Sequence, residues 1–324
     1  MGAGVTEPAP STAVRTRAPG AEATPPRPRA HGPRARRDAL TARAGIAMYI
    51  LPALALVGIL LLVPFGYTVY QSLTEYDGIS PAEFVGFDNY VTLLGAERFH
   101  RSLINTVIWT VGTLLLPVLL GLLIAVLTNA SGWPVWVRYA FVLPYAISGT
   151  ATGVIWGFML RSDGAVNQVL GAFGLDSLQQ EWLLSWPMNT IVMILAETWR
   201  AVGISIILFL VGLQTVPRET VEAGMLDGAS GFRLFRRIVF PQLRAVTVVV
   251  VGISIANSLR VFDVIWLLTQ GGPGWLSETL AVTMYRQTFV LSEYGLGSAV
   301  AVVLAVIVVS VSWIYLRQQM PKRG

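Results

Sequence analysis

The chain has 324 residues, is 54% hydrophobic and carries only 13% charged residues, a charge content about half of that usual for soluble domains. This balance excludes an ordinary water-soluble core and indicates a protein with several membrane spans. There is no cysteine and there are only two histidines, His31 and His100, so disulfides, thiolate chemistry and a metal site are not expected. The net charge of +5 does not indicate nucleic-acid binding in a membrane protein.

Residues 1 to about 40 are rich in proline, alanine, threonine and arginine and show no apolar periodicity. They predict a disordered basic cytoplasmic tail over residues 1–43, ahead of a membrane domain over residues 44–324. Arg36 and Arg37 precede an apolar run and raise the alternative of a twin-arginine or secretory signal. That apolar run is too long for a signal sequence and no convincing cleavage site follows it, which favours the tail.

Six long apolar segments follow, at about residues 46–70, 103–128, 135–160, 187–213, 243–269 and 296–316. At 1.5 Å per residue, each can cross a hydrocarbon core of about 30 Å. The sequence therefore predicts an all-α polytopic membrane protein with six transmembrane helices. In the third segment Gly149, Gly153 and Gly157 recur every four residues and line one face, which is typical of close packing between membrane helices.

Arginine and lysine are distributed unevenly between the connections. With the N-terminus inside, 17 of them fall in cytoplasmic segments and four, Arg98, Arg101, Arg161 and Arg286, fall outside. Positive residues are retained on the cytoplasmic side of membrane proteins. We therefore expect both termini, and the long connection after the fourth span, to lie in the cytoplasm of a bacterial cell.

Five polar or charged residues lie within predicted spans: Glu197, Arg200, Asn257, Arg260 and Asp263. An arginine in mid-membrane costs about 2.5–3.5 kcal/mol and is rarely left facing lipid. Each arginine has a carboxylate three residues away, on the same face of a helix. Two interpretations stay open: ion pairs that fix packing, or the lining of a wet path for a polar solute. Trp156 and Trp199 lie nearby and either pack in the bundle or stack on a sugar ring.

The connection from Pro217 to Pro241 has helical spacing but is too charged for hydrocarbon, with four arginines and three carboxylates. We expect two short helices. The first begins at Pro217 and ends at Gly228. Gly231 allows the chain to turn into the second, which ends at Pro241. Their apolar faces comprise Val221, Met225 and Leu226, and then Phe232, Phe235, Ile238 and Val239. Such an element lies on a membrane surface or docks into a groove of another protein.

This connection resembles a known motif. Glu222-Ala223-Gly224, Asp227-Gly228-Ala229, Ile238 and Pro241 are similar to the EAA loop of permease subunits of binding-protein-dependent ABC importers, with Gly224 in place of the second alanine and Phe240 in place of a leucine. Phe84-Val85-Gly86-Phe87-Asp88-Asn89-Tyr90 and Leu268-Thr269-Gln270-Gly271-Gly272-Pro273 resemble stretches of the carbohydrate-type permeases.

The resemblance implies a type I ABC importer permease fold and a sugar as solute. It also implies a second permease that is a different chain, two ATP-binding subunits and an extracytoplasmic solute-binding protein. In this family the loop couples ATP hydrolysis to transport, which here assigns coupling to Glu222, Ala223, Gly224, Asp227, Gly228, Ala229, Phe232, Phe235, Ile238 and Pro241. The one lysine, Lys322, lies outside any glycine-rich loop, so no Walker A site is present and ATP is expected on the partner subunits.

Two other classes of protein remain. A secondary transporter driven by an ion gradient would leave the basic loop lying on lipid, but the halves show no inverted repeat and no pair of interrupted helices. A membrane-embedded enzyme would need clustered carboxylates or histidines near one membrane face, or a nucleophile motif. The sequence shows neither. Among solutes, disaccharide, oligosaccharide, amino sugar and glycerol phosphate all stay open, with the balanced charges in the spans favouring neutral sugars.

Overall fold

The structure is a computed structural model that describes residue 2, residue 48, residues 50–132 and residues 134–319. Its helices are α1 (Ile50–Gln71), α2 (Asp88–Gly95), α3 (Glu97–Ala130), α4 (Val135–Val142), α5 (Gly149–Met159), α6 (Ala165–Ala172), α7 (Met188–Gln214), α8 (Arg218–Leu226), α9 (Gly231–Gln242), α10 (Arg244–Ser258), α11 (Asp263–Thr269), α12 (Leu280–Tyr285) and α13 (Tyr294–Gln319). Two short strands, β1 (Thr74–Glu75) and β2 (Glu83–Phe84), pair antiparallel. The predicted tail falls almost entirely outside the described residues.

The chain divides into two compact units, Met1–Leu60 and Leu61–Gly324. In the first, the described helical residues from Ile50 onward are almost all exposed. The second unit contains the packed helices, and every contact described below lies within it.

Four helices, α1, α3, α7 and α13, are long and apolar enough to cross a membrane. Two bent pairs, α4 with its 3-10 extension followed by α5, and α9 followed by α10, raise the number to six if each pair is one span. The prediction of an all-α chain with several membrane spans is therefore confirmed, and six is the upper limit of the number of spans within the residues that the structure describes.

The third predicted span is not continuous. Its first part ends in a 3-10 turn, Leu143–Ala146, and α5 begins after a bend of 102°. Pro144 lies in that turn, Ile147 is extended, and the Ser148 hydroxyl accepts a hydrogen bond from the amide of Ala151 as an N-terminal cap. The proline and the cap favour a break, which apolar periodicity alone did not reveal.

The fifth predicted span is also interrupted. Helix α10 ends at Ser258, and residues 259–262 are not helical before α11 begins at Asp263. Arg260 lies in this break, so it and Asp263 do not share a helical face as the sequence predicted. The Arg260 Nε instead donates to the carbonyl oxygen of Ala256 at 2.9 Å, which satisfies one of the free carbonyls at the end of α10.

The core is built on α3 and α7, which pack along much of their lengths. Gly112 and Gly121 permit the approach: a Cβ at Gly121 would lie 2.4 Å from Ser205 Cβ, and one at Gly112 would lie 2.8 Å from Ile194. Fully buried Trp109 and Met193 fill the centre together with residues of α11 and α12. Helix α3 begins six residues before the predicted span, so Arg98 and Arg101 belong to a helix and not to a loop.

The predicted glycine face of α5 packs against α11. A Cβ at Gly153 would lie 2.9 Å from Leu267 Cβ, and one at Gly149 would lie 3.0 Å from an Asp263 carboxylate oxygen. Gly157 has more room, since its Cβ would lie 3.5 Å from Leu268. These small residues allow the two helices to approach closely.

The two stretches that resemble carbohydrate permeases hold connections in place. Asn89 donates to the carbonyl oxygens of Ser72 and Thr74 at 3.0 and 2.9 Å, and the Tyr90 hydroxyl bonds Ser72. In the second stretch Gly271 has φ +82°, and a Cβ there would lie 2.4 Å from Glu278. Both the backbone and the space therefore require glycine at that position.

Candidate functional site

The five predicted intramembrane residues line one cavity. It has a volume of about 440 Å³ and lies between α3, α5, α7, α10 and the break before α11. Its wall includes Glu197, Arg200, Asn257, Arg260 and Asp263. The sequence did not single out Thr113, Pro117 or Tyr145, which also line it. Thr113 and Pro117 gave no signal because they lie in the apolar middle of α3, where only packing decides which face meets the cavity.

Glu197 and Arg200 form an ion pair, which is one of the two interpretations that their spacing left open. The Arg200 Nε donates to Glu197 Oε2 at 3.1 Å, and a second guanidinium nitrogen donates to Oε1. Glu197 is only 7% exposed, so this carboxylate is held in the wall by its partner. A paired guanidinium and carboxylate still offer free donor and acceptor positions at the cavity surface.

Arg260 and Asp263 contribute differently. Both line the cavity and are exposed, and they form no ion pair within 4.0 Å in the part of the chain that the structure describes. Asp263 lies in the first turn of α11, where the helix dipole favours a negative charge. Thus Glu197 and Arg200 are paired with each other, whereas the charged groups of Arg260 and Asp263 are available to bind a solute.

Trp156 and Trp199 pack against each other edge to face, with ring centroids 6.1 Å apart. Neither ring is among the described residues that line the cavity. Their arrangement fits the packing interpretation of the sequence.

The predicted two-helix connection is present as α8 and α9. Helix α8 ends in a Schellman motif: the amide of Ala229 donates to Gly224 O at 2.9 Å and that of Gly228 to Met225 O at 3.0 Å. Gly228 has φ +80°, the left-handed conformation that this motif requires. Pro217 precedes the first helical residue as the cap, and α9 runs one residue past Pro241.

The two helices contact each other through small and apolar residues. Gly224 is buried against Ile238, and Phe235 lies between Phe232 and Phe240, with centroids 6.4 and 5.8 Å away. Glu222, Ala223 and Asp227 are exposed. Apolar Met225 (56%), Leu226 (90%) and Phe232 (74%) are also exposed, so the connection presents an apolar surface with acidic residues beside it.

Helix α9 joins α10 through a bend of 74° at Leu243. The Leu243 side chain is fully buried, and with Val246 it packs where a Cβ on Gly212 of α7 would lie. Helix α10 then carries Ile253, Ser254 and Asn257 to the cavity wall. Helix α10 therefore links the charged connection to the cavity, and the start of this helix is held in place by the buried Leu243 side chain.

A buried cluster around Glu278 was missed by the sequence interpretation. Glu278 is fully buried and accepts hydrogen bonds from Arg98 at 2.8 and 2.7 Å, Arg286 at 2.7 Å and Thr283 at 3.0 Å. Arg98 and Glu278 are 180 residues apart in the sequence. The arginines were assigned to separate connections, and no local pattern brings them together.

The chain is similar to known membrane transport proteins. Residues 30–319 match the family model described as "Binding-protein-dependent transport system inner membrane component". A protein of Pyrococcus horikoshii named as a probable ABC transporter permease is 34% identical over 84% of this chain and 94% of its own length. A trehalose/maltose transport system permease protein of Thermococcus litoralis is 32% identical over 85% of this chain and 93% of its own.

A solved structure has a similar fold. It is a crystal structure of a bacterial ABC transporter involved in the import of the acidic polysaccharide alginate, and its chain superposes with a TM-score of 0.73 at 24% identity. The match covers 88% of this chain and 98% of that one.

Proposed function

The chain belongs to the family of binding-protein-dependent transport system inner membrane components, and on this premise we propose that it is the permease subunit of an ATP-driven importer for a sugar. It is a multi-pass membrane protein, and we place it in the inner membrane with both termini in the cytoplasm, because positive residues are concentrated on that side. Relatives are named for trehalose and maltose, starch degradation products and α-glucosides, which supports a sugar as the solute.

The observation that carries this proposal is the cavity on which Glu197, Arg200, Asn257, Arg260 and Asp263 converge. Ionisable groups inside a membrane bundle mark solute paths more often than they mark lipid-facing surface. The wall mixes hydrogen-bond donors and acceptors and has no net charge from its two arginines and two carboxylates. Such a wall suits a neutral, hydroxyl-rich solute better than a phosphate ester.

ATP hydrolysis takes place on two separate subunits, which we expect to contact α8 and α9. The exposed apolar residues Met225, Leu226 and Phe232 fit a groove of the ATPase, as amphipathic helices commonly do in protein partners. Glu222 would fix the docked helix by a polar contact. Asp227 and Gly228 form the end of the helix. The small residues Ala223 and Gly224 allow the partner and α9 to approach it closely.

The mechanism is alternating access. Closure of the ATPase pair pulls α8 and α9, and the buried joint at Leu243 transmits that displacement to α10. Because α10 carries Asn257 and ends at the break that holds Arg260, its movement opens the cavity to one side of the membrane and closes it to the other. A second permease, a different chain by family analogy, completes the path, and a binding protein delivers the sugar from outside.

The test uses the complex purified in lipid with its neighbouring gene products co-expressed. Glu222→Ala combined with Asp227→Arg is expected to lose the ATPase subunits or the sugar-stimulated hydrolysis, while the spans still insert. A matched control is Glu181→Ala combined with Asp176→Arg, which alters two exposed acids on another connection and should leave ATPase association intact.

If no ATPase associates with the wild-type chain, or if the coupling variant behaves like the wild type, the importer assignment fails. Transport driven by an ion gradient would then be the function to examine, with the basic connection lying on lipid.

A further inference from the structure

A cluster of arginine and tryptophan residues lies at the predicted outer end of the bundle. We name this cluster the outer platform; it consists of Arg98, Arg101, Trp186, Trp275, Glu278 and Arg286. It brings together the start of α3, the segment before α7 and the turn between α11 and α12. The cavity does not include these residues, so the platform is a feature separate from the proposed sugar path.

The base of the platform is rigid. Glu278 is fully buried and holds the guanidinium groups of Arg98 and Arg286. Fully buried Asn105 donates to the carbonyl oxygens of Leu276 and Glu278 at 2.7 and 2.9 Å, and its own oxygen accepts from the Trp186 indole at 3.0 Å. One amide therefore ties both tryptophan-bearing segments together, and a preorganised surface loses less entropy on binding.

Trp275 is held in an unusual conformation. Its φ is +61°, in the left-handed region that non-glycine residues rarely adopt, and Gly274 before it has φ +51°. Its side chain is nonetheless 50% exposed, so the strained backbone does not serve to bury an aromatic ring. Strain of this kind is a reason to look for a function at the residue.

The charge of the platform is positive, because it contains three arginines and one carboxylate, and two of those arginines, Arg98 and Arg286, pair with Glu278. Arg98 lies over the Trp275 ring at 5.9 Å and Arg101 over the Trp186 ring at 4.9 Å, so each exposed tryptophan has a cation beside it. Tryptophan and arginine are the residue types that contribute most to binding energy in protein interfaces.

We propose that the outer platform is the docking surface for an acidic face of the extracytoplasmic solute-binding protein, with Trp275 as its anchor. The proposal rests on the proposed function, which places this end of the bundle outside. Positive charge on the platform attracts carboxylates on the partner and raises the association rate. The Trp275 indole supplies the buried apolar contact at the centre of the interface.

Direct binding of sugar is the competing possibility, since sugars also stack on tryptophan. A cavity of about 350 Å³ lies beside Trp275. Its carboxylate, Glu278, already accepts from two arginines and a threonine. Because Glu278 is occupied, it is not free to accept hydrogen bonds from sugar hydroxyl groups. A partner protein instead brings its own carboxylates to the arginines.

The test measures binding between the complete transporter in nanodiscs and a solute-binding protein that stimulates its ATP hydrolysis, loaded with the sugar that gives that stimulation. Trp275→Gly removes the ring and also relieves the left-handed backbone. We expect its thermal unfolding temperature to be unchanged or higher, while affinity for the binding protein falls at least about tenfold. Trp275→Phe should restore much of the affinity, and Phe84→Ala, at an exposed aromatic on β2, should match the wild type.

A second variant examines the charge. Arg101→Gln is expected to slow association several-fold and to make it less sensitive to salt, with little change in the dissociation rate. This readout stays informative even if Trp275→Gly assembles poorly.

The outcomes separate the two proposals. If the wild-type complex shows no stimulation by any binding protein, the proposed function fails and the docking surface fails with it. If the wild type is stimulated and both platform variants bind with wild-type affinity and rates, only the docking surface is wrong. Normal protein binding by Trp275→Gly together with an altered preference for sugar chain length would assign the platform to sugar and also overturn the proposal.

Discussion

Gly224 of α8 and Ile238 of α9 meet where the two helices of the cytoplasmic connection cross. A Cβ on Gly224 would lie 2.0 Å from Ile238 Cδ1, and the glycine is buried. The family motif has an alanine at this position, and here the Ile238 side chain occupies the space that the alanine methyl group would need.

Gly224→Ala is expected to destabilise the connection, because the new methyl group would force Ile238 out of its position, at a cost of about 1–3 kcal/mol for overpacking. Combining it with Ile238→Val, which lacks the Cδ1 atom, should restore stability and sugar-stimulated ATP hydrolysis. Thermal unfolding and ATPase assays of the purified complex measure both effects. A single Gly224→Ala variant as stable as the wild type would show that the contact is not tight.

The two glycines at the α5–α11 contact should respond differently to the same substitution. Gly153→Ala places a methyl group 2.9 Å from Leu267 Cβ and should lower the unfolding temperature, since neither atom can move without shifting a helix. Gly157→Ala has 3.5 Å of room and should be neutral or slightly stabilising, because alanine favours a helix over glycine by about 1 kcal/mol. Equal behaviour of the two variants would contradict this packing.

Glu278→Gln is expected to be strongly destabilising. Removing the buried carboxylate leaves the charges of Arg98 and Arg286 uncompensated, and breaking a buried pair costs about 3–5 kcal/mol. Asp163→Asn is the matched control: it breaks the Arg161–Asp163 pair, whose side chains are 59% and 77% exposed, and should cost at most about 1 kcal/mol. Chemical or thermal unfolding of the reconstituted protein compares them, and a Glu278→Gln effect as small as the control would refute the buried network.

The charges of the cavity can be assigned to packing or to solute by comparing two variants. Glu197→Gln leaves Arg200 without its ion-pair partner and should reduce stability as well as transport. Asp263→Ala removes an exposed group without an ion-pair partner among the described residues, so the unfolding temperature should change little.

For Asp263→Ala the decisive measurement is the KM for sugar uptake in a transport assay. If Asp263 bonds the sugar, the KM for uptake should rise about tenfold, which corresponds to about 1.4 kcal/mol for one lost hydrogen bond. An unchanged KM would remove Asp263 from the solute path and leave it a helix-terminus residue.

The sequence by itself determined the features that depend on neighbours within one or two helical turns. Apolar runs located α1, α3, α7 and α13, although their ends differ by a few residues from those predicted. The charges and glycines of residues 217–241 predicted two short helices, and Gly228 predicted the end of the first. The spacing of Glu197 and Arg200 placed them on one helical face, because three residues is nearly one turn, and so allowed the ion pair that they form.

Only the tertiary structure decided which distant residues meet and where apolar segments break. Arg98 and Glu278 are brought together by the packing of helices far apart in the chain, which no local pattern encodes. The apolar pattern does not show the breaks before Gly149 and Asp263, because a bent span can be as hydrophobic as a straight one; at the first break, Pro144 and the Ser148 cap are local signals. The second break releases Arg260 from the helix and lets five residues of two segments face a single cavity.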